Sequence, residues 1–254
     1  MPFQAQRLNP VLTENLHAFL KAHSIPDLYR AYAWKNDTYE DGFQDIHRLE
    51  LHLAMMDQTT GITISDVKCV AKWGAMRNQG RIAGAKIVLP PRTLHTPEGV
   101  ATAEIGDDPL APLLALRANI TGGLGPTYLS KVLRFGLPQE YGAIDTRCVR
   151  VFGHGDAEAH RHDWIKLSAR NDGYGWFIPK TQKAWPKEYT VWINILRYFA
   201  ARLPANCPHP PSFVRVGLRK KGVWECADVE MAFFSYASQF TDKRIPRPKY
   251  VIRP

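Results

Sequence analysis

Apolar residues recur every three to four positions along most of this chain, the mark of helices with one buried face. Val11, Leu12, Leu16, Phe19 and Leu20 predict a helix over residues 10–22, and Ser24-Ile25-Pro26 interrupts it. A short aromatic segment follows, with Tyr29, Tyr32 and Trp34. Phe43, Ile46, Leu49, Leu53 and Met56 predict a second helix over residues 39–57. Thr63 and Asp66 stand at the spacing of a capping pair, opening a helix that turns Ile64, Val67, Val70, Ala71 and Trp73 inward. Residues 85–104, with Pro90-Pro91 and Pro97, read as loop. Asp107 and Asp108 suit a helix start, and Leu110, Leu113, Leu114 and Leu116 carry that helix forward. Trp192, Ile195, Leu196, Phe199 and Leu203 predict a helix over residues 187–203, and residues 224–240 predict a last one. Strand-like alternation is short and scarce. The pattern therefore predicts a mainly α protein.

Composition adds a partner class. The formal charge is +9, which favours an acidic partner, with nucleic acid first. Aromatic residues make up 11% of the chain, so stacking faces are plentiful. Cys69, Cys148, Cys207 and Cys226 are widely spaced and form no C-x-x-C pair, which points to reduced thiols rather than a disulfide framework or a zinc site. The first ten residues are polar and mixed, unlike a secretory leader. No apolar run approaches the ~20 residues needed to span a membrane. A soluble, cytoplasmic, nucleoid-associated monomer is expected, without cofactor.

The densest signal lies in residues 120–152. Thr121-Gly122-Gly123-Leu124-Gly125-Pro126 predicts a tight turn, and Pro126 suits the first turn of the next helix. Leu129, Val132, Leu133 and Tyr128 then recur at helical spacing. Free amides at such a turn and helix start favour an anion, here a phosphate. Farther on, Ile144-Asp145-Thr146-Arg147 places a carboxylate at another helix start. By residue type alone, Asp145 reads first as a helix cap.

Gly-Leu-Gly, a helix and that aspartate in register resemble the helix-hairpin-helix DNA glycosylase superfamily, which includes endonuclease III and the 8-oxoguanine glycosylases. Ser130-Lys131 and Asp145-Thr146-Arg147 are also similar to segments of bacterial proteins akin to the latter. The resemblance implies two helical lobes around a cleft, with the N-terminal segment rejoining the C-terminal helices. It takes residues 1–254 as one unit and 107–153 as the helix-hairpin-helix and catalytic segment; by its charges, 243–254 reads as a basic tail. It implies excision of a damaged or modified base from DNA, in repair or in defence against modified foreign DNA. Asp145 takes the catalytic role. Thr127 falls where strand-cleaving members keep a Schiff-base lysine, and Lys131 stands one helical turn later. A monofunctional enzyme is therefore expected, in which water attacks, unless the Lys131 amine reaches the sugar.

Base excision needs phosphate anchors, a pocket for a flipped nucleotide and charge stabilisation at the sugar. Gly123, Gly125 and Thr127 supply anchor amides, with Arg147 and Arg150 as further phosphate contacts. Trp73, Arg77, Asn78 and Tyr128 are the candidate base pocket, although Arg77 and Asn78 equally suit a helix end. His154, His160 and His162 invite a metal, but the segment has loop character and lacks H-E-x-x-H, so solvent-facing histidines are expected and no metal. Asp228 and Glu230 sit two apart on the last helix and do not share a face, so one is expected in a salt bridge and neither in catalysis. The rival reading is a non-catalytic helix-hairpin-helix DNA-binding protein.

Overall fold

The computed structural model describes residues 8–76, 78–91 and 109–241. It is mainly helical, with ten α-helices and three two-stranded ribbons among those residues. None of these helices is long and apolar enough to cross a membrane.

Helix α1 (Pro10–Ala22) opens where the Asn9 side chain accepts a hydrogen bond from the Val11 amide at 2.9 Å. The expected break after it starts a further helix instead. Ser24 caps α2 (Ile25–Arg30), with Pro26 in the first turn, where its missing N–H costs nothing. Ribbon β1 (Ala33–Trp34) and β2 (Asp37–Thr38) pair antiparallel. They follow the aromatic segment and end just before the span expected to be helical.

Helix α3 (Gln44–Gln58) begins five residues later than its apolar spacing suggests. Gly42 and Phe43 both hold positive φ, +68° and +51°, which no helix continues through. The buried Asp37 carboxylate then accepts hydrogen bonds from the Asp45 and Ile46 amides, at 2.8 and 3.1 Å. Its other oxygen accepts from the Trp73 indole at 2.7 Å, so one side chain joins the ribbon to two helices.

Strand β3 (Ile62–Thr63) leads into α4 (Ile64–Trp73), whose Thr63 and Asp66 form the expected reciprocal cap. Residues 87–89 were expected in a loop, but Ile87–Leu89 is strand β4, paired antiparallel with β3. Two strands of two or three residues are too short for alternation to reveal. Next come α5 (Ala111–Asn119), α6 (Pro126–Gly136) and α7 (Thr146–Phe152). The expected start of α5 at Asp107 and Asp108, Arg77 and the tail 243–254 lie outside the described residues. Strands β5 (Arg170–Asn171) and β6 (Trp176–Phe177) form a hairpin, followed by α8 (Lys187–Arg202), the short α9 (Pro211–Arg215) and α10 (Cys226–Thr241).

Helix α10 is buried at every residue from Cys226 to Ser238, as expected of a helix at the centre of a core. Helices α2, α7 and α8 pack against it. Phe19 of α1 meets Phe233 and Tyr236 edge-on, with ring centroids 5.6 and 4.9 Å apart. The chain's N-terminal helices thus close on its last helix.

A charged network crosses the interior. Arg134 of α6 pairs with Glu50 of α3 at 2.6 Å and with Glu230 of α10 at 3.5 Å. Arg219 pairs with the same Glu50 at 2.8 Å, and with Glu225 and Asp228, both at 3.1 Å. All six groups are buried. Glu50 bridges two guanidiniums, so Glu50→Gln should cost about 3–5 kcal/mol, the scale for stripping one partner from a buried pair. Urea unfolding checks this. A loss below ~1 kcal/mol, the scale of an exposed pair, would mean that water reaches the network.

Candidate functional site

The glycine turn is shaped by a neighbouring strand of chain. Thr121 donates its amide to Ala83 O at 2.8 Å, and Ala85 donates to Asn119 O at 2.8 Å. A Cβ at Gly122 would collide with the Arg81 carbonyl, and Gly123 holds φ at +81°. Those two glycines are required by the backbone. Gly125 is different. Its φ is −92°, and nothing lies within 4 Å of where its Cβ would be. The fold leaves that surface open. No side chain caps α6 at its N-cap Gly125, and Pro126 offers no amide.

Asp145 is placed by three sets of contacts. Ser130 in the second turn of α6 accepts the Ile144 amide at 3.0 Å and donates to Thr127 O at 3.0 Å. Tyr189 and Trp192 of α8 donate to the carbonyls of Gly142 and Ala143, at 3.1 and 3.0 Å. At Gly142 a Cβ would strike Leu196 and would lie 2.7 Å from Glu230 Cβ, so only glycine fits there. The loop before Asp145 is thereby fixed to α6, α8 and α10.

The two carboxylate oxygens of Asp145 have separate tasks. Oδ1 accepts the Arg147 amide at 3.1 Å and caps α7. Oδ2 pairs with Lys131 Nζ at 3.1 Å, and both side chains are only 8% exposed. The cap and the ion pair coexist. Burial by itself would raise the Asp145 carboxyl. The charges of Lys131 and Arg147, with the Arg147 amide, overcome this and hold it below its ordinary value.

Three rings surround the Lys131 amine. Nζ lies 5.6 Å from the centroid of Trp34, 5.5 Å from Trp73 and 5.6 Å from Tyr128, within cation–π range of each. The Arg147 guanidinium covers the other flank of this cluster, 5.0 Å from the Trp34 ring and 4.9 Å from Phe234. Behind the pair is a cavity of about 10 Å³, room for one water, lined also by Glu230 and Arg134. In front is an open cleft of about 920 Å³. Its walls include Gly123, Gly125, Thr127, Tyr128, Lys131, Asp145 and Arg147, and on the far side the β5–β6 hairpin with Tyr174, Trp176 and Phe177.

The structure therefore brings together Asp145, Lys131, Gly123, Gly125, Thr127, Tyr128 and Arg147, with Trp73 behind them. Two expected residues stand elsewhere. Arg150 does not itself line the cleft; it pairs with Asp156 at 2.7 Å and lies 4.3 Å over the ring of Trp176, which does. Asn78 is exposed and lines neither space. Trp34 and Glu230 are additions. Trp34 belonged to a visible aromatic segment, but nothing in its spacing tied it to Lys131. Of the three histidines, His154 is exposed, as expected, and the other two are half-buried. His162 is half-buried, stacked on Phe152 and 3.0 Å from the Tyr236 hydroxyl. His154 and His160 converge on Asp163.

Compared with protein-family models, with curated proteins and with solved structures, the chain matches none.

Glu230 links stability to pH. Burial pushes its carboxyl up to about 7, against the pull of Arg134 and with a further push from Asp145. In the unfolded chain it titrates near 4.5. Its contribution to stability is therefore complete below pH 4.5 and is lost as pH rises through about 7. Glu230→Gln should flatten the decline in stability across that window, followed by urea unfolding at successive pH values. Glu225, raised by burial to about 8, should retain part of the slope. An unchanged slope in Glu230→Gln would place the titration in another group.

Proposed function

We propose that this protein is a DNA glycosylase that flips one nucleotide out of duplex DNA and cleaves its N-glycosidic bond. The observation that carries this reading is the buried Lys131–Asp145 pair at the edge of a cleft whose rim is the open Gly125 turn. In this reading α3 to α6 form one lobe, the other helices form the second, and the cleft between them receives the flipped nucleotide. Its size falls within the ~300–1,000 Å³ of ordinary ligand pockets. The turn amides and Arg147 hold phosphates, and the net charge of +9 draws DNA to the protein.

The chemistry follows from the pair. Asp145 stays ionised and stabilises positive charge that develops on the sugar. The Lys131 amine is one helical turn beyond Thr127, on the same face of α6, and its carboxylate partner holds it at the mouth of the cleft. It supports attack by lysine over the water-only route expected from Thr127. The Lys131 ammonium first gives one proton to water, and its freed lone pair then bonds to C1′ as the bond from C1′ to the base nitrogen breaks. The base leaves with the bonding pair and, on balance, a second lysine proton. The aminal then opens to a Schiff base. Damaged bases and modified bases of foreign DNA are both open to this chemistry.

The test is a panel of labelled duplexes, each carrying one altered base, incubated and then divided between alkali and no alkali. Wild type should release one base class and cleave the strand without alkali. Borohydride should trap a covalent complex, which Lys131→Ala abolishes. Asp145→Asn should lose at least ~100-fold in excision, the scale of a lost electrostatic stabiliser, with DNA affinity nearly intact. Cleavage only after alkali would make water the nucleophile. Tight binding with no excision of any base would replace the enzyme with the DNA-binding module.

Gly125→Ala separates folding from DNA contact. It should leave Tm unchanged, because its Cβ meets nothing, and should weaken DNA binding. Unaltered affinity across a salt titration would remove the turn from the DNA contact.

A further inference from the structure

A second cluster of chemically capable side chains stands apart from the cleft. Asp145 caps the N-terminal end of α7, whereas His154, His160 and Asp163 gather just beyond its C-terminal end. Seven helical residues separate the two, about 10 Å at 1.5 Å per residue. We propose that His154, His160 and Asp163 bind one borderline divalent transition-metal ion, zinc first.

The donor atoms are already spaced for it. His160 Nε2 lies 3.3 Å from Asp163 Oδ1, and His154 Nδ1 lies 3.6 Å from the same oxygen. Ligands of a tetrahedral zinc ion, at bond lengths of about 2.0–2.1 Å, stand about 3.3 Å from each other. All three donor atoms fall within 4.8 Å of one another.

The hydrogen bonding points to a cation as well. His160 Nδ1 lies 2.6 Å from the Gly153 carbonyl, which can only accept, so Nδ1 carries the proton. The Nε2 of a neutral His160 therefore presents a lone pair to a carboxylate. A metal ion resolves that conflict, as a second proton on the ring would, and a backbone carbonyl on the second ring nitrogen is the usual partner of a ligating histidine.

The loop is held in place before any ion arrives. His154 donates its amide to Leu167 O at 2.8 Å and accepts from Ala169 at 2.9 Å. His160 donates to Asp156 O at 2.9 Å, and the residues on either side of Asp163 donate to Val151 O and Phe152 O, at 3.0 and 2.9 Å. The Asp163 side chain is 72% exposed and His154 48%, so a fourth position is open to water or a ligand. Two imidazoles favour zinc, nickel or cobalt over magnesium or calcium.

Chelator-stripped full-length protein should be titrated with zinc by calorimetry and with cobalt(II) by visible absorption. One equivalent should bind, and zinc should raise Tm. His160→Ala and the conservative Asp163→Asn should each weaken binding at least ~10-fold and abolish the Tm shift, with far-ultraviolet dichroism unchanged. The cobalt spectrum should show d–d bands without thiolate charge transfer, and Cys69→Ser, which removes the exposed thiol, should change nothing. No saturable binding at a large excess of zinc would overturn the proposal and leave a histidine–aspartate ion pair. Binding that survives both ligand variants would overturn it too.

Discussion

Glu50 holds two guanidiniums in a space without exposure, and the rest of the structure takes its positions from that arrangement. Arg134 reaches it from α6, and Arg219 from the segment before α10. Two cations and four carboxylates share the interior. The excess of acid is tolerable because burial raises Glu225 and Glu230 toward neutrality, so they need not both be charged at once. Removing either arginine leaves buried carboxylates without a counter-charge, which is the costly way to break such a network.

The network also sets the site. Arg134 and Lys131 are three residues apart on α6 and share a face of it. With Arg134 tied to α3 and α10, the rotation of α6 about its axis is determined. Lys131 is then presented to Asp145 rather than to solvent. The Lys131–Asp145 ion pair is therefore the outermost member of a series of charges that begins in the core.

Much of this architecture was legible in the sequence, because helices announce themselves locally. The spacing of Leu16, Phe19, Trp192 and Phe199 follows from contacts within one turn, and so does the Thr63–Asp66 cap. The turn at Gly122 and Gly123 was legible for a similar reason: both residues answer a backbone demand. Asp145 was visible as a cap, and its second oxygen's partner became visible only with the helix turn that separates Thr127 from Lys131. What escaped notice depends on distant pairing. Arg134 meets Glu50 across 84 positions, and Arg219 meets it across 169. No local pattern encodes such pairs. The late start of α3 escaped because Phe43 fits the apolar period while its backbone is left-handed. Arg150 looked available for phosphate because Asp156 lay in a segment without helical or strand pattern.

Gly142 gives the molecule an unusual sensitivity. Its missing side chain lets the loop before Asp145 wedge between Leu196 of α8 and Glu230 of α10. The distance between those two helices is therefore recorded in the position of the carboxylate. A substitution that spread them by a fraction of an ångström would leave a folded, soluble protein with its acid displaced from its lysine. A variant's melting curve alone would not report that displacement.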